Sequence, residues 1–179
     1  METKLTGAQM DASVVSAPMT AEELFWLPYD GHRYELIEGE LKEMVPAGPR
    51  HGRIANAVAF LLTQHARQND LGVVYAAETG FKLRKDPDTV WAADAAFVAV
   101  GRIPPQGEPE GYWDIAPDLV VEVVSPSDSA PAVQSKVTDW LAAGCQLVWV
   151  VYPDNADRDR VSLAERHSGA DRRAGSGGR

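Results

Sequence analysis

A strand-like run of apolar residues from Asp118 to Ser125, DLVVEVVS, carries one carboxylate, Glu122, in its middle. Because the run is apolar on both alternating faces, it predicts a central strand that is covered on both sides of a sheet. An ionised carboxylate is costly to bury there without a partner. The sequence therefore predicts that Glu122 meets a metal ion or a cationic side chain, or that a raised pKa leaves it neutral.

The composition is that of one globular domain. The chain has 179 residues, of which 45% are hydrophobic and 24% charged. Its net charge of -9 argues against a nonspecific nucleic-acid coat, yet fits carboxylates gathered around a divalent cation. A single cysteine, Cys145, excludes an intrachain disulfide. No segment is apolar for long enough to span a membrane or to act as a secretory signal, so we expect a cytoplasmic protein.

Hydrophobic periodicity predicts helices that alternate with strands. The predicted elements, in chain order, are a short helix after Thr20, a hairpin over 34–45, a helix over 50–69, strands over 73–83 and 90–100, a loop over 101–117, the central strand, a helix over 131–143 and a strand over 146–152. The last strand, helix and strand predict a parallel crossover that packs this helix across the sheet.

The two ends of the chain differ from its middle. Residues 1–18 are small and polar without a period, which predicts a disordered leader. The folded domain is expected over residues 19–153. Residues 154–179 are rich in Asp, Arg, Gly and Ser, with Val161 and Leu163 as apolar anchors, and are predicted to be disordered.

A second carboxylate, Asp94, lies inside the almost wholly apolar run AADAAFV. The strand period places Asp94 on the same face as Ala92, Ala96 and Val98. Small neighbours leave room around the carboxylate, and this room suggests a ligand.

Lys136 lies at the edge of the apolar stripe of its helix, between Val133 and Trp140. A lysine in this position either extends outward to solvent or reaches a carboxylate beneath the helix. The crossover packs the helix across the sheet that contains Glu122, which adds weight to the second alternative.

The first turn of the helix over 50–69 carries three basic side chains, Arg50, His51 and Arg53. The helix dipole disfavours cations at this end. The cluster either binds an anion such as a phosphate of the substrate or is a solvated surface cluster.

Two carboxylates on neighbouring strands and a lysine on the next helix suit phosphodiester hydrolysis. Asp94 and Glu122 would bind Mg²⁺ or Mn²⁺, the ions that oxygen ligands favour, and Lys136 would orient or activate the attacking water.

Six blocks of the sequence resemble those of a known family. With the order helix, three strands, helix and strand, they resemble the PD-(D/E)XK restriction-endonuclease-like superfamily and, within it, the Uma family of predicted restriction endonucleases. The resemblance covers about residues 20–153. The blocks are RYELIEGEL (33–41), PRHGRI (49–54), ADAAFV (93–98), APDLVVEVVSPSD (116–128), KVTDWLAAG (136–144) and LVWVVYP (147–153).

The resemblance implies an α/β (α+β) fold with a restriction-endonuclease-like core, in which helices flank a mixed sheet and an extra helix and hairpin come first. It implies a Mg²⁺-dependent endonuclease that cuts DNA at a site formed by Asp94, Glu122 and Lys136. A glutamate of the hairpin block joins them, with Glu35 the first choice and Glu40 the second. Enzymes that cut both strands often pair two active sites, so a homodimer is a reasonable expectation.

Besides having Ala93-Asp94 where the superfamily has Pro-Asp, the sequence departs from the family in two places. Val124 stands where the superfamily usually has a lysine, so that this role falls to Lys136. Family members usually continue with further strands after a VWVVDP segment, whereas this chain has Tyr152 in place of the Asp and then a patternless end. The second departure predicts a truncated or frame-altered tail. It also leaves open another function, that of a nuclease-like module that no longer cuts and acts in binding or scaffolding.

Overall fold

Seven strands form one mixed sheet, and the two longer helices pack on its opposite faces. The computed structural model describes residues 17–153 and 160–166. The observed order of elements confirms the predicted fold class. The elements are α1 (Ala21–Phe25), β1 (Arg33–Ile37), β2 (Glu40–Met44), α2 (Pro49–Gln68), β3 (Gly72–Arg84), β4 (Thr89–Ala99), a 3-10 turn (Val100–Arg102), β5 (Leu119–Val123), α3 (Ala130–Ala142), β6 (Leu147–Tyr152) and β7 (Arg160–Glu165).

The sheet is mostly antiparallel. Its strands follow the order β2-β1-β4-β5-β6-β7, and β3 pairs with β4. β5 and β6 are parallel and in register from Leu119↔Leu147 to Val123↔Val151, with α3 as their connection. The predicted parallel crossover is therefore present. Within the ranges that the structure describes, every helix is too short or too polar to cross a membrane.

Local sequence signals determine α1 and the first hairpin. Thr20 caps α1, because its Oγ1 accepts a hydrogen bond from the Glu23 N–H (3.2 Å) and the Glu23 carboxylate accepts one from the Thr20 N–H (2.8 Å). β1 and β2 are joined by the two-residue turn Glu38-Gly39, whose φ angles are 51° and 79°. A Cβ at Gly39 would also clash with Pro18, so the turn requires glycine at this position.

The central strand β5 has apolar contacts on both faces. Val120 packs with Trp140 of α3, and the next residue, Val121, packs with Ile54 of α2. Consecutive strand residues point to opposite faces, so Glu122 lies on the face of Val120, beneath α3. The prediction of a strand covered on both sides is confirmed.

The prediction of a disordered tail after Pro153 is wrong for one segment. β7 pairs with β6 in an antiparallel ladder along the full length of both strands. Its apolar anchors, Val161 and Leu163, stay largely exposed. Backbone pairing therefore holds β7 more than side-chain burial does, and this is why its sequence gives so weak a signal. The hypothesis of a frame-altered reading frame stays a prediction. The leader residues 1–16 and the tail residues 154–159 and 167–179 lie outside the described residues.

Truncation of two phenylalanines tests the assigned core. Phe81 is 0% exposed, and its ring meets Trp140 edge-on with 5.9 Å between centroids. We expect Phe81→Ala to lower the free energy of unfolding by about 3–5 kcal/mol because it leaves a cavity. Phe60, on α2, is 65% exposed, so Phe60→Ala should change that free energy by no more than about 0.5 kcal/mol. Urea denaturation measures both, and equal losses would contradict the assignment.

Candidate active site

The hydrogen-bond ladder between β4 and β5 ends beside the two predicted carboxylates. Its last pair on this side is Ala95 with Val121, and the same register would next set Asp94 opposite Glu122. The N–H of the following residue, Val123, donates instead to Asp94 Oδ2 (2.7 Å). A side-chain carboxylate thus satisfies a backbone donor where strand pairing stops.

β3 carries a β-bulge opposite Asp94. The bulge residues Ala77 and Glu78 have φ angles of 43° and 69°, a costly conformation for residues with a side chain. On β4, Ala93 and Ala96 both pack in the core beneath α3 although they are three residues apart, so the strand alternation is interrupted between them. Strict alternation predicts that Asp94 shares the face of Ala96. Because the alternation is interrupted, its carboxylate instead meets α2.

The residue of α2 that meets Asp94 is His51. Its Nε2 atom lies 3.2 Å from Asp94 Oδ2, and both side chains are mostly buried. Arg53 of the same helix turn is exposed, and Arg50 is partly buried. Of the three basic residues that the sequence proposes as substrate contacts, the structure therefore brings His51 into the cluster.

Lys136 points inward from α3. Its Nζ atom lies 3.1 Å from Glu122 Oε2 and 3.1 Å from Glu35 Oε1, and it donates to the carbonyl oxygen of Ala92 (3.0 Å). Of the two alternatives for Lys136, the inward one is observed. The buried carboxylate of Glu122 has its cationic partner in this lysine.

Glu122 and Lys136 shift one another's protonation. Burial raises the pKa of Glu122 to about 7; the charge of Asp94 adds to this, and Lys136 and Trp140 oppose it. Burial alone would lower the pKa of Lys136, but the carboxylates of Glu122 and Glu35 outweigh burial and raise it. Near neutral pH the lysine therefore stays charged, while Glu122 is close to its midpoint of titration.

Glu35, and not Glu40, reaches the cluster. Glu35 is 2% exposed on β1, and its Oε1 atom accepts hydrogen bonds from Lys136 and from the Ala92 N–H (3.1 Å). Glu40 lies on β2 opposite Ile37 and is exposed. The hairpin register thus separates the two candidates that the sequence leaves open.

Trp140 is a member of the site that the sequence analysis missed. Its indole Nε1–H donates to Glu122 Oε1 (2.7 Å), so both oxygens of Glu122 have protein partners. The signal was its spacing, since Trp140 follows Lys136 by four residues and therefore shares its helix face. An apolar stripe on a helix predicts core residues, and Trp140 is both a core residue and a hydrogen-bond donor.

A groove of about 750 Å³ contains the cluster, lined by Glu35, His51, Asp94, Glu122 and Lys136 among others. Within the described residues, no group of three or more His, Cys, Asp or Glu side chains is arranged to hold a metal ion. Mg²⁺, however, usually takes one or two carboxylates and completes its shell with water and substrate phosphate. Asp94 and Glu122, which are close enough for the charge of Asp94 to raise the pKa of Glu122, fit an ion of this kind.

Comparisons with known proteins identify the family. The Uma2 family model, described as "Putative restriction endonuclease", matches residues 21–169. The fold is similar to that of a solved structure from Anabaena variabilis ATCC 29413 described as "a putative nuclease belonging to DUF820", with 23% identity, a TM-score of 0.66 and coverage of 80% of this chain and 84% of that chain. A search of curated proteins finds no match.

The chain therefore belongs to the Uma2 family, as the sequence blocks predict. The matched region runs past Pro153 and includes β7. Family and fold together support a nuclease function in general terms.

The raised pKa of Glu122 predicts a dependence of stability on pH. The folded state binds the Glu122 proton more tightly than the unfolded chain does, with a pKa of about 7 against 4.5. The resulting stabilisation is complete below about pH 4.5 and is lost as the pH rises to about 7, by up to about 3 kcal/mol. Relative to Glu122→Gln, which has no such proton, the parent should lose stability over this range in metal-free buffer.

Urea denaturation between about pH 4.5 and pH 8 measures this difference. The matched control is Glu40→Gln, which removes an exposed carboxylate outside the cluster and should leave the parent's pH profile in place. Parallel profiles for the parent and Glu122→Gln would show that Glu122 does not take up a proton in the fold.

Proposed function

We propose that this chain is a metal-dependent endonuclease that hydrolyses DNA phosphodiester bonds with Mg²⁺ or Mn²⁺. The observation that carries the proposal is the meeting of three elements in one groove: Asp94 from β4, Glu122 from β5 and Lys136 from α3, with the lysine 3.1 Å from Glu122. Membership of a family described as restriction endonucleases supports the same class of reaction.

Asp94 and Glu122 would hold the divalent cation through their carboxylate oxygens. Bound there, the ion would neutralise charge that develops on the phosphate and lower the pKa of the attacking water. Glu122 must first lose its proton, since burial raises its pKa to about 7. His51 contacts Asp94 and so orients that carboxylate.

Lys136 supplies a fixed positive charge. Its raised pKa keeps the ammonium protonated, so it acts as a hydrogen-bond donor and not as a proton acceptor. Glu35 and the Ala92 carbonyl hold the ammonium in place. Its three N–H groups have acceptors in Glu35, Glu122 and the Ala92 carbonyl, so Lys136 would act on phosphate oxygens through its charge. It would orient a water molecule only by giving up one of these contacts.

DNA is the proposed partner. Arg53 is exposed on α2, two residues after His51, and its contact with a backbone phosphate stays a prediction. A role for Arg50 in DNA contact stays a prediction. So does the homodimer that would place two sites on opposite strands.

A second candidate function is that of a nuclease-like module that binds DNA without cutting it. One observation favours it: both Glu122 oxygens accept from protein donors, and the Lys136 ammonium already supplies the positive charge that the carboxylate needs. A metal ion would have to compete with these contacts.

Nicking of supercoiled plasmid separates the two candidates. With Mg²⁺ or Mn²⁺, the parent should convert supercoiled plasmid to nicked or linear forms. Asp94→Asn, Glu122→Gln and Lys136→Ala should each lower the rate by at least about 100-fold, because each removes a group that holds the reacting centre. The control Glu40→Gln, which alters an exposed glutamate of the same hairpin, should cleave at the parent's rate.

Cleavage that survives equally in all of these variants would refute the catalytic assignment. A parent that binds plasmid but cleaves it with neither ion would support the binding module in its place.

Binding of the metal can be measured apart from cleavage. We expect isothermal titration to show Mg²⁺ or Mn²⁺ bound more tightly at pH 8 than at pH 6. Below the Glu122 pKa of about 7, binding must release that proton, so affinity should change by up to about tenfold per pH unit. Glu122→Gln should bind weakly with little pH dependence. Affinity independent of pH in the parent would place the ion elsewhere.

A further inference from the structure

Among the groove residues in the described part of the chain, one cation has no carboxylate partner. Among the lining residues that the structure describes, Arg33 pairs with Glu78, Lys136 pairs with two glutamates, and both histidines contact carboxylates. Lys42 is the exception. Its ammonium contacts the aromatic ring of Trp91.

The hairpin register places Lys42 on the face of the sheet that carries the site. Lys42 on β2 stands directly opposite Glu35 on β1, and facing residues of paired strands share a face of the sheet. The Lys42 Nζ atom lies 5.2 Å from the centroid of the Trp91 ring, and the Lys136 Nζ atom lies 5.0 Å from the same centroid. One ring therefore contacts two ammonium groups, one bound to carboxylates and one not.

Trp91 is suited to hold this pair. It is buried, lines the groove, and its Nε1 atom has no hydrogen-bond partner within the described part of the chain. Within the same residues, the polar contacts of the indole are thus the two ammonium groups near its ring, which the negative ring face attracts. The side chain of Lys42 is exposed, so its ammonium stays accessible from solvent.

We infer that Lys42 binds a backbone phosphate adjacent to the one that is cleaved, an inference that rests on the proposed endonuclease function. A phosphate can bind Lys42 without breaking an ion pair, whereas Arg33 and Lys136 would first have to leave their carboxylates. Lysine binds phosphate as a compact point charge, and the ring of Trp91 can hold its stem while the ammonium donates.

The test is the salt dependence of DNA binding. Affinities for one duplex are measured over a series of salt concentrations, with every protein in an Asp94→Asn background that prevents cleavage. Each phosphate contact contributes about 0.9 to the slope of log affinity against log salt for duplex DNA. Lys42→Ala should make the slope shallower by about 0.9, and Lys42→Arg should restore it. The matched control is Lys85→Ala, which removes an exposed lysine that pairs with Asp114 outside the groove and should leave the slope unchanged.

Each outcome is decisive. A shallower slope in Lys42→Ala with restoration by arginine supports the phosphate contact. If the unmodified chain also fails to nick plasmid, the endonuclease proposal falls, and with it the place of this contact beside a cleaved phosphate. Binding with the same slope in Lys42→Ala overturns the inference and leaves the endonuclease proposal intact. Failure of the chain to bind duplex or single-stranded DNA at low salt overturns both.

Discussion

The buried ammonium of Lys136 is the interaction on which the site depends. It joins acceptors from three strands, namely Glu35 of β1, the Ala92 carbonyl of β4 and Glu122 of β5, to helix α3. Without it, two buried carboxylates would face one another with no cation between them, which a low-dielectric interior disfavours strongly. The apolar contacts of α3 hold the helix on the sheet, and the contacts of Lys136 connect it to β1, β4 and β5.

Most of this arrangement could be predicted from the sequence because each part carries its own local signal. Glu122 stands out as a charge within an apolar run, and Asp94 as a charge among alanines. Lys136 follows from the crossover, since a helix between two parallel strands must lie across the sheet. The choice of Glu35 over Glu40 needed the hairpin register. Strand alternation alone does not tell which of two glutamates on different strands faces the site.

The parts that sequence reasoning missed depend on contacts between distant segments. β7 is held by backbone pairing with β6, to which its side chains contribute little burial. The bulge at Ala77 and Glu78 lies on β3, opposite the position on β4 where the Asp94 carboxylate points toward His51. Neither effect leaves a local pattern in the residues concerned, so composition and periodicity could not reveal them.

Trp140 is fully buried in the core and also donates a hydrogen bond to Glu122. Its indole packs against Phe81 on one side and fixes a carboxylate oxygen on the other. One side chain therefore both fills the core and fixes the position of the Glu122 carboxylate. A family member that evolves a smaller residue at this position must find both a new way to fill the volume and a new donor for the glutamate, so the position is constrained twice over by one side chain.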